Sequence, residues 1–324
     1  MNEALVGIDI GGTKIAIALA DLDGGLLARR RIPTRPELGP NVAFDNICLS
    51  VQEMASELDS RVTAIGVGCP GPLDVAYGLV LSPANLRTWN RFPIVENLHT
   101  HFGVRIVFDN DANVAALGEC IYGAGRGFAN VFYVTISTGI GGGIVLSGEL
   151  YHGVANGAGE LGHSIVKPDG IRCNCGSIGC LETICSGTHI ARRVKECIDS
   201  GRPTLLRDLV EDAGEPSAKT LIDAVRQNDH AACDLWDETC RYLALGLGNV
   251  ITILAPDVLI IGGGISAAGD LLLDPLRELV PTFVSMVPPE CINIIPAALG
   301  EDSGLCGAVA LARSADMCRS SSRS

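Results

Sequence analysis

Two stretches far apart in the chain share one hydrophobic pattern. In residues 5–20, the run Leu-Val-Gly-Ile-Asp-Ile and the run Ile-Ala-Ile-Ala-Leu-Ala flank a Gly11-Gly12-Thr13-Lys14 turn. Two apolar runs around paired glycines predict a β-hairpin. Residues 130–151 repeat the design, with Val-Phe-Tyr-Val-Thr-Ile leading into Thr138-Gly139-Ile140-Gly141-Gly142-Gly143 and a returning strand. An internal duplication of this kind favours two lobes of common design over a single dinucleotide-binding sheet. The expected architecture is therefore α/β and two-lobed, the lobes facing each other across a ligand cleft.

The remaining elements follow from period and punctuation. A strand is predicted near 25–32 and a helix over about 41–58, where apolar residues recur at helical spacing. The run Thr-Ala-Ile-Gly-Val-Gly-Cys (63–69) reads as a strand that breaks into Pro70-Gly71-Pro72. Another strand, 104–109, ends in Asp109, Asn110, Asp111 and Asn113 before a helix from Val114. Ser186 can cap a helix through about Ile198; further helices are expected near 204–212, 217–228 and 229–254. A strand ends in Gly262-Gly263-Gly264, a short one lies near 292–295, and a small-residue helix opens at Ser303. That helix reaches Ala312 and is expected to extend to about 318, crossing back to the first lobe. The lobes are placed at 1–115 and 116–302, the second carrying a cysteine loop. No linker rich in Pro, Gly or Ser separates them, and the tail Arg319–Ser324 is expected to be disordered.

Composition narrows the function classes. Of 324 residues 47% are hydrophobic and only 4% aromatic, which implies a core of Val, Ile, Leu and Ala. The net charge of −13 speaks against nucleic acid as a partner, since that needs a clustered basic face. It does not oppose nucleotide binding, for which a few backbone N–H groups suffice. The N-terminus carries Glu3 and Asp9 and no basic run, unlike a signal peptide, and no apolar run is long enough for a membrane span. A cytoplasmic location follows, with cysteines such as Cys48, Cys69 and Cys233 reduced and serving as packing residues.

The densest chemistry lies between Asn156 and Glu182. Cys173, Cys175 and Cys180 share a loop punctuated by Gly176 and Gly179, with His163 ten residues before the first of them. Three thiolates and an imidazole form the ligand set of a closed structural zinc site. A redox pair is the competing reading, but the loop has no Cys-x-x-Cys, and Cys-x-Cys suits an internal disulfide poorly. Glu160 and Glu182 flank the ligands, so a metal here would also fix two carboxylates.

Other motifs are weaker. Asp9-Ile10-Gly11-Gly12-Thr13-Lys14 is not a Walker A loop. Its exposed backbone and Thr13 hydroxyl suit a phosphate nest, with Asp9 facing a Mg²⁺ shell, but an ordinary Gly-Gly hairpin explains it equally well. Gly66, Gly68 and Gly71 spell G-x-G-x-x-G, as do Gly157, Gly159 and Gly162; neither set stands between a strand and a helix, so neither reads as dinucleotide-binding. The polar cluster after residue 108 resembles a calcium loop, yet Val114 and Cys120 occupy the positions that require Gly and Glu. One of its residues can be a helix N-cap. Four polar residues at a strand-to-helix junction exceed that need, and such junctions often carry catalytic side chains. Gly262-Gly263-Gly264 is a second place where backbone can approach a nucleoside.

His-Gly-x-x-x-Gly-x-Gly-Glu-Leu-Gly-His (152–163) followed by Cys-x-Cys-Gly-x-x-Gly-Cys-x-Glu (173–182) resembles the signature of the ROK family of bacterial sugar kinases and sugar-responsive repressors. The likeness runs from Gly7 to about Ala308. It implies an actin/hexokinase-like (ribonuclease-H-like) fold, with Gly11, Gly12, Thr13 and Lys14 in the first phosphate loop. Thr138 and Gly139 are implied at the β- and γ-phosphates, and Gly263 and Gly264 at the nucleoside. The family's catalytic aspartate falls on Asp111. Its sugar contacts fall on Gly71, Asn85, Asn110, Asp111, Glu160, His163 and Glu182, His163 giving one ring nitrogen to zinc and the other to the sugar.

Within the family the segments look most like the glucokinase branch. That implies transfer of phosphate from ATP, with Mg²⁺, to the 6-hydroxyl of a hexose, glucose first, by a homodimer or homotetramer. N-Acetylmannosamine, N-acetylglucosamine and fructose remain alternative acceptors, and polyphosphate an alternative donor. The family's repressors carry a helix-turn-helix arm before the first hairpin; only Met1 to Leu5 stand there, which favours an enzyme.

Overall fold

The computed structural model describes residues 2–321, and the chain divides into two compact units. Unit 1 comprises Met1–Gly127, Glu149–Asn156 and Ala298–Ser324; unit 2 comprises Phe128–Gly148 and Gly157–Ala297. The boundary read from sequence at residue 115 falls inside a helix, Asp111–Tyr122, whose packing keeps it whole in unit 1.

Unit 1 is built on a five-stranded sheet in the order β3-β2-β1-β4-β8. Its strands are β1 (Asn2–Ile10), β2 (Lys14–Ala20), β3 (Leu26–Pro33), β4 (Ser60–Cys69) and β8 (Arg105–Asn110). Helix α1 (Pro40–Glu57) covers one face, and α3 (Asp111–Tyr122) and α10 (Ser303–Ser321) cover the other. The two-residue period of the strands sorts side chains by size. Val6, Ile8, Ile10, Ile15, Ile17, Leu19, Ile65 and Val67 pack with Ile47, Val51 and Met54 of α1. Leu5, Ala16, Ala18, Ala20 and Ala64 meet Leu305, Val309 and Ala312 of α10. This second face uses small residues because the helix lies almost on the backbone. A Cβ on Gly66 would stand 1.9 Å from the Ala308 carbonyl oxygen, so the first glycine of the Gly66-Gly68-Gly71 motif serves packing.

Two parts of unit 1 have no counterpart in the sequence reading. A small sheet of β5 (Leu73–Asp74), β6 (Leu79–Leu81) and β7 (Asn90–Phe92) supports the 82–89 loop. Helix α2 (Ile94–Phe102) opens after Pro93 and closes on left-handed Gly103. The short strand β11 (Glu149–Leu150) brings Leu150 against Val114 and Leu117 of α3. The tail departs from expectation: α10 continues to Ser321, taking in Arg319, Ser320 and Ser321, and residues 322–324 lie outside the described chain. Helix-forming Leu311, Ala312, Arg313 and Ala315 lead into that stretch with no Gly or Pro to stop it.

Unit 2 repeats the sheet plan. Here β9 (Val131–Ile136) pairs antiparallel with β10 (Ile140–Leu146) and parallel with β12 (Val258–Gly262), which pairs parallel with β13 (Ile294–Pro296). The order β10-β9-β12-β13 matches β2-β1-β4-β8. Around it lie α4 (Glu182–Cys185), α5 (Gly187–Asp199), α6 (Leu206–Ala213), α7 (Ala218–Arg226), α8 (His230–Leu254) and α9 (Asp270–Leu279). A single core runs from Val134 and Ile136 through Leu181, Trp236 and Leu243 to Leu272. Buried Arg193 on α5 donates to the Ile184 carbonyl, 3.1 Å, and to Thr239 Oγ1, 2.8 Å, tying α4 to α8. Among the described residues no helix is long and apolar enough to cross a membrane.

Candidate functional site

In unit 1 the chemistry gathers at the carboxyl ends of the parallel strands, the edge where open α/β sheets bind ligands. The register aligns Asp9 with Gly68, and Gly68 with Asp109, in one row. Asp9 belongs to the small-residue face and lies over the start of α10, where a Cβ on Gly304 would be 2.7 Å from its Oδ2. Burial and the nearby Asp111 carboxylate raise the Asp9 carboxyl to about 7, although Lys14 and Arg31 pull it down. Two acids that resist ionising together make a site suited to a cation.

Around this pair the sequence-predicted residues converge. Asn85 packs on the first loop so closely that a Cβ on Gly12 would stand 2.6 Å from its own Cβ. A Cβ on Gly71 would be 3.5 Å from Asn110 Nδ2. Gly11 closes the hairpin by donating its N–H to the Lys14 carbonyl, 2.9 Å, and Thr34 Oγ1 donates to the Gly11 carbonyl, 2.7 Å. Thr13 is exposed at the tip. Lys14 Nζ lies 2.7 Å from Glu301 Oε2, so in this state its charge is engaged within unit 1.

The turn from β8 into α3 has a definite division of labour. Asn110 is the N-cap, its Oδ1 accepting the Ala112 N–H at 2.9 Å. Asp109, 3% exposed, accepts from the Asn110 N–H (2.7 Å) and from Asn113 Nδ2 (2.9 Å) on Oδ1. Its Oδ2 lies 2.5 Å from His152 Nε2. Asp111 stands at the head of the turn, half-buried, its Oδ1 accepting the Ala112 N–H at 2.8 Å.

Unit 2 supplies the second loop, a cavity and a metal-ligand cluster. The Glu182 carboxylate leans on the Ser137–Ile140 turn: its Oε2 accepts the Ile140 N–H at 2.9 Å, and a Cβ on Gly139 would be 2.7 Å from the same oxygen. A cavity of 820 Å³ opens beside this turn, lined by Thr138, Thr188, Pro216, Lys219, Ile222 and Gly264 among others. That volume falls within the roughly 300–1,000 Å³ usual for small-molecule sites. Gly264 borders the cavity, but Gly263 is not among its lining residues; a Cβ there would sit 2.5 Å from the Ile136 backbone. Gly263 is therefore needed for strand packing. Thr188, Pro216 and Lys219 carried no motif in the sequence, because the α5 and α6–α7 segments that bring them here are distant in the chain.

His163, Cys173, Cys175 and Cys180 place one ligand atom each within 4.8 Å of all the others. Cys173 Sγ is 3.6 Å from His163 Nδ1, and Cys175 Sγ is 3.6 Å from Cys180 Sγ. Ligands bound tetrahedrally at about 2.0–2.3 Å stand about 3.3–3.8 Å from one another, so the four residues fit a zinc ion. The loop is tightly bent: Gly179 has φ +80°, and a Cβ there would meet the Lys167 carbonyl oxygen at 1.7 Å. The Ser177 backbone beside exposed Cys175 draws its thiol down to about 7, whereas burial pushes Cys180 up to about 12. His163 turns Nδ1 to the thiols and Nε2 towards exposed Glu160, whose Oε2 is 3.9 Å away.

Residues 5–315 match the model of the ROK family. The chain belongs to the ROK family. It is 35% identical over 307 residues to a glucokinase of Thermotoga maritima, covering 95% of this chain and 96% of that one. Among solved structures, a ROK glucokinase from Streptomyces griseus in complex with glucose and AMPPNP superimposes with a TM-score of 0.80 at 34% identity, covering 96% of this chain and 99% of that one. A ROK hexokinase from Thermus thermophilus gives a TM-score of 0.80 at 31% identity, covering 98% and 99%. The two-sheet plan of this ROK chain is accordingly the actin/hexokinase-like fold.

Two participants escaped the sequence reading. His152 stands at the head of the ROK motif and Asp109 in the polar cluster, yet neither drew a role, since nothing in sequence joins positions so far apart. Glu119 is, like Asp109, a buried acid of unit 1. Fully buried, it accepts the Ala124, Ala298 and Leu299 N–H groups and the Ser303 hydroxyl at 2.8–3.0 Å, fixing the segment that leads into α10.

Proposed function

We propose that this ROK protein is a sugar kinase that transfers the γ-phosphate of ATP to the 6-hydroxyl of a hexose, with glucose as the preferred acceptor. The observation that carries the reading is the placement of Asp111. It is presented at a strand-to-helix junction on the same sheet edge as the Asp9–Lys14 loop, close enough to help hold Asp9 up to about 7. A phosphoryl acceptor needs a carboxylate beside a phosphate-and-cation site, and little covalent chemistry beyond that.

Asp111 orients the acceptor hydroxyl and takes its proton late in the transfer, as the aspartate of kinase catalytic loops does. Gly71, Asn85 and Asn110 in unit 1, with Glu160, His163 and Glu182 in unit 2, are assigned to the sugar hydroxyls. The nucleoside is assigned to the 820 Å³ cavity, with Thr138 and Gly139 at the phosphates. Backbone N–H groups of the Gly11–Thr13 turn are assigned to the same phosphates, and Lys14 reaches them on leaving Glu301. Asp9 is assigned to the Mg²⁺ shell, where the ion supplies charge neutralisation for the phosphates. His163, Cys173, Cys175 and Cys180 would hold zinc, whose bonds to them would brace the Glu160–His163 turn. His163 keeps Nε2 available on that turn while Nδ1 faces the metal ligands. Glu182 serves two loops at once, because the oxygen that accepts the Ile140 N–H leaves its other oxygen for the sugar.

A coupled ADP-release screen over a hexose panel, with ATP and Mg²⁺ present, tests the reading. Turnover on glucose and no turnover without sugar is the expected result. Absence of turnover on every hexose, together with specific DNA binding in a gel shift, would reassign the protein to the regulators.

A further inference from the structure

Asp109 is a buried carboxylate whose two oxygens have different tasks. Oδ1 holds the turn itself, through the Asn110 N–H and Asn113 Nδ2, while Oδ2 meets the imidazole of His152 at 2.5 Å. The histidine comes from a segment of unit 1 remote in sequence, next to β11, whose Leu150 packs on α3. At 36% side-chain exposure His152 is accessible to water, whereas the Asp109 side chain is 5% exposed. Burying a carboxylate is costly unless each oxygen is hydrogen-bonded. His152 meets that requirement for Oδ2. Without it, Oδ2 is left buried with no donor, and rotation of the carboxylate towards another one loosens its grip on the Asn110 N–H. The next residue is Asp111, and Asn110 itself caps α3. A shift of one peptide plane at this point moves both the proposed base and a proposed sugar ligand.

We propose that His152 is a positioning residue for phosphoryl transfer, acting through Asp109 to set the Asn110–Asp111 turn. The inference rests on the assignment of Asp111 as base, and goes beyond it by naming the pair that aims it. The carboxylate favours the cationic imidazole, raising the His152 pKa against the opposing effect of burial. Misaim of about an ångström in a reacting group can cost on the order of 10²-fold in rate. The pair sets a proposed base and a proposed sugar ligand, so the effect belongs in kcat and in the sugar KM.

The test uses the full chain and four variants, with kcat referred to folded protein by circular dichroism. His152→Ala is expected to lower kcat at least tenfold while the ATP KM stays within about twofold. His152→Gln, which keeps a neutral N–H donor of similar reach, is expected to recover most of that loss. In an Asp109→Asn background, His152→Ala is expected to add little, because the partner it acts through is already altered. A kcat within twofold of wild type for His152→Ala, or losses that simply multiply in the double variant, would overturn the proposal. The pair is also read without turnover. The His152 ring titration, followed by NMR, is expected to fall back towards that of an ordinary histidine in Asp109→Asn. An unmoved titration overturns the pair. Absence of wild-type turnover alongside a moved titration instead faults the kinase reading, and the positioning role falls with it.

Discussion

Asp111 differs from its neighbours in what it is needed for. Asn110 caps a helix, Asn113 and His152 satisfy Asp109, and each explains its own place by a hydrogen bond. Asp111→Asn keeps size and the local acceptor while removing the base, so fold and sugar affinity are expected to survive. The expected fall in kcat is roughly 10²–10⁴, the range for a lost general base. Steady-state kinetics with the chemical step shown to limit turnover checks this; a variant keeping more than about a tenth of wild-type kcat is incompatible with the assignment. Asp9 gives a second, thermodynamic signature. Its carboxyl rises from 3.8 to about 7 in the folded chain, chiefly through burial and then through Asp111. A raised carboxyl binds its proton more tightly when folded, so its stabilising contribution is full below pH 4 and is lost as pH climbs through 7. In magnesium-free buffer Asp9→Asn is therefore expected to be more stable than wild type at pH 8, with the gap closing towards pH 4. Urea midpoints across that range read it directly, and a gap that widens on acidification contradicts the assigned environment. Mg²⁺ added at pH 8 is expected to narrow the gap by stabilising only the wild type.

Among the elements, the cysteine loop and the two glycine hairpins were legible because their information is local. Hairpin turns, alternation and ligand spacing all act within a few residues. Helix α2, helix α9 and the small β5–β7 sheet were not, since their boundaries depend on packing against Trp89, Phe92 and the α8 core. Packing roles of glycines were hidden for the same reason. Gly263, expected at the nucleoside, makes room for the β9 backbone, and Gly66, whose motif was set aside as a ligand site, makes room for α10. The zinc reading makes an element-scale prediction. The purified protein is expected to contain about one zinc per chain, and Cys175→Ser to lose it. Structural zinc is worth on the order of 10 kcal/mol in isolated small domains. Here the loop is also held by Cys173 N–H to the Ser177 carbonyl, 2.8 Å, and Leu181 N–H to the Ser164 carbonyl, 2.9 Å. The loss is therefore expected to stay within the loop, as faster proteolysis between Lys167 and Cys180, with the rest of the chain still folded. Metal analysis of reduced, chelator-free protein settles the premise: no zinc, no site.

At the scale of the whole molecule, duplication was readable and substrate was not. The matching strand orders of the two units follow from two hairpins visible in the sequence. Which hexose is taken depends on side-chain atoms whose positions only the fold supplies, and Glu160, His163 and Glu182 are the ones proposed. Glu160 is exposed on a turn, His163 directs Nε2 to the same side, and Glu182 commits one oxygen to the Ile140 N–H. These groups offer mostly acceptors, which suit the hydroxyls of an unsubstituted hexose ring. An acetamido group at carbon 2 would remove one such hydroxyl and ask for an apolar wall. Near that turn Gly159 lies against the Gly142 carbonyl oxygen, 2.5 Å from where its Cβ would stand, and Ala158 packs on the unit 2 core. A site built to bond a hydroxyl can reject an analogue lacking it by up to about 10⁴ in kcat/KM. Glucose is accordingly expected to exceed N-acetylglucosamine and N-acetylmannosamine by a wide margin. Glu160→Gln, which turns half of a charged acceptor into a donor, is expected to raise the glucose KM more than the ATP KM. Competition assays with paired sugars measure the ratio directly. A preference for either N-acetyl sugar would exclude glucose as the principal acceptor while leaving the roles of Asp111 and the phosphate loops intact, because neither touches carbon 2.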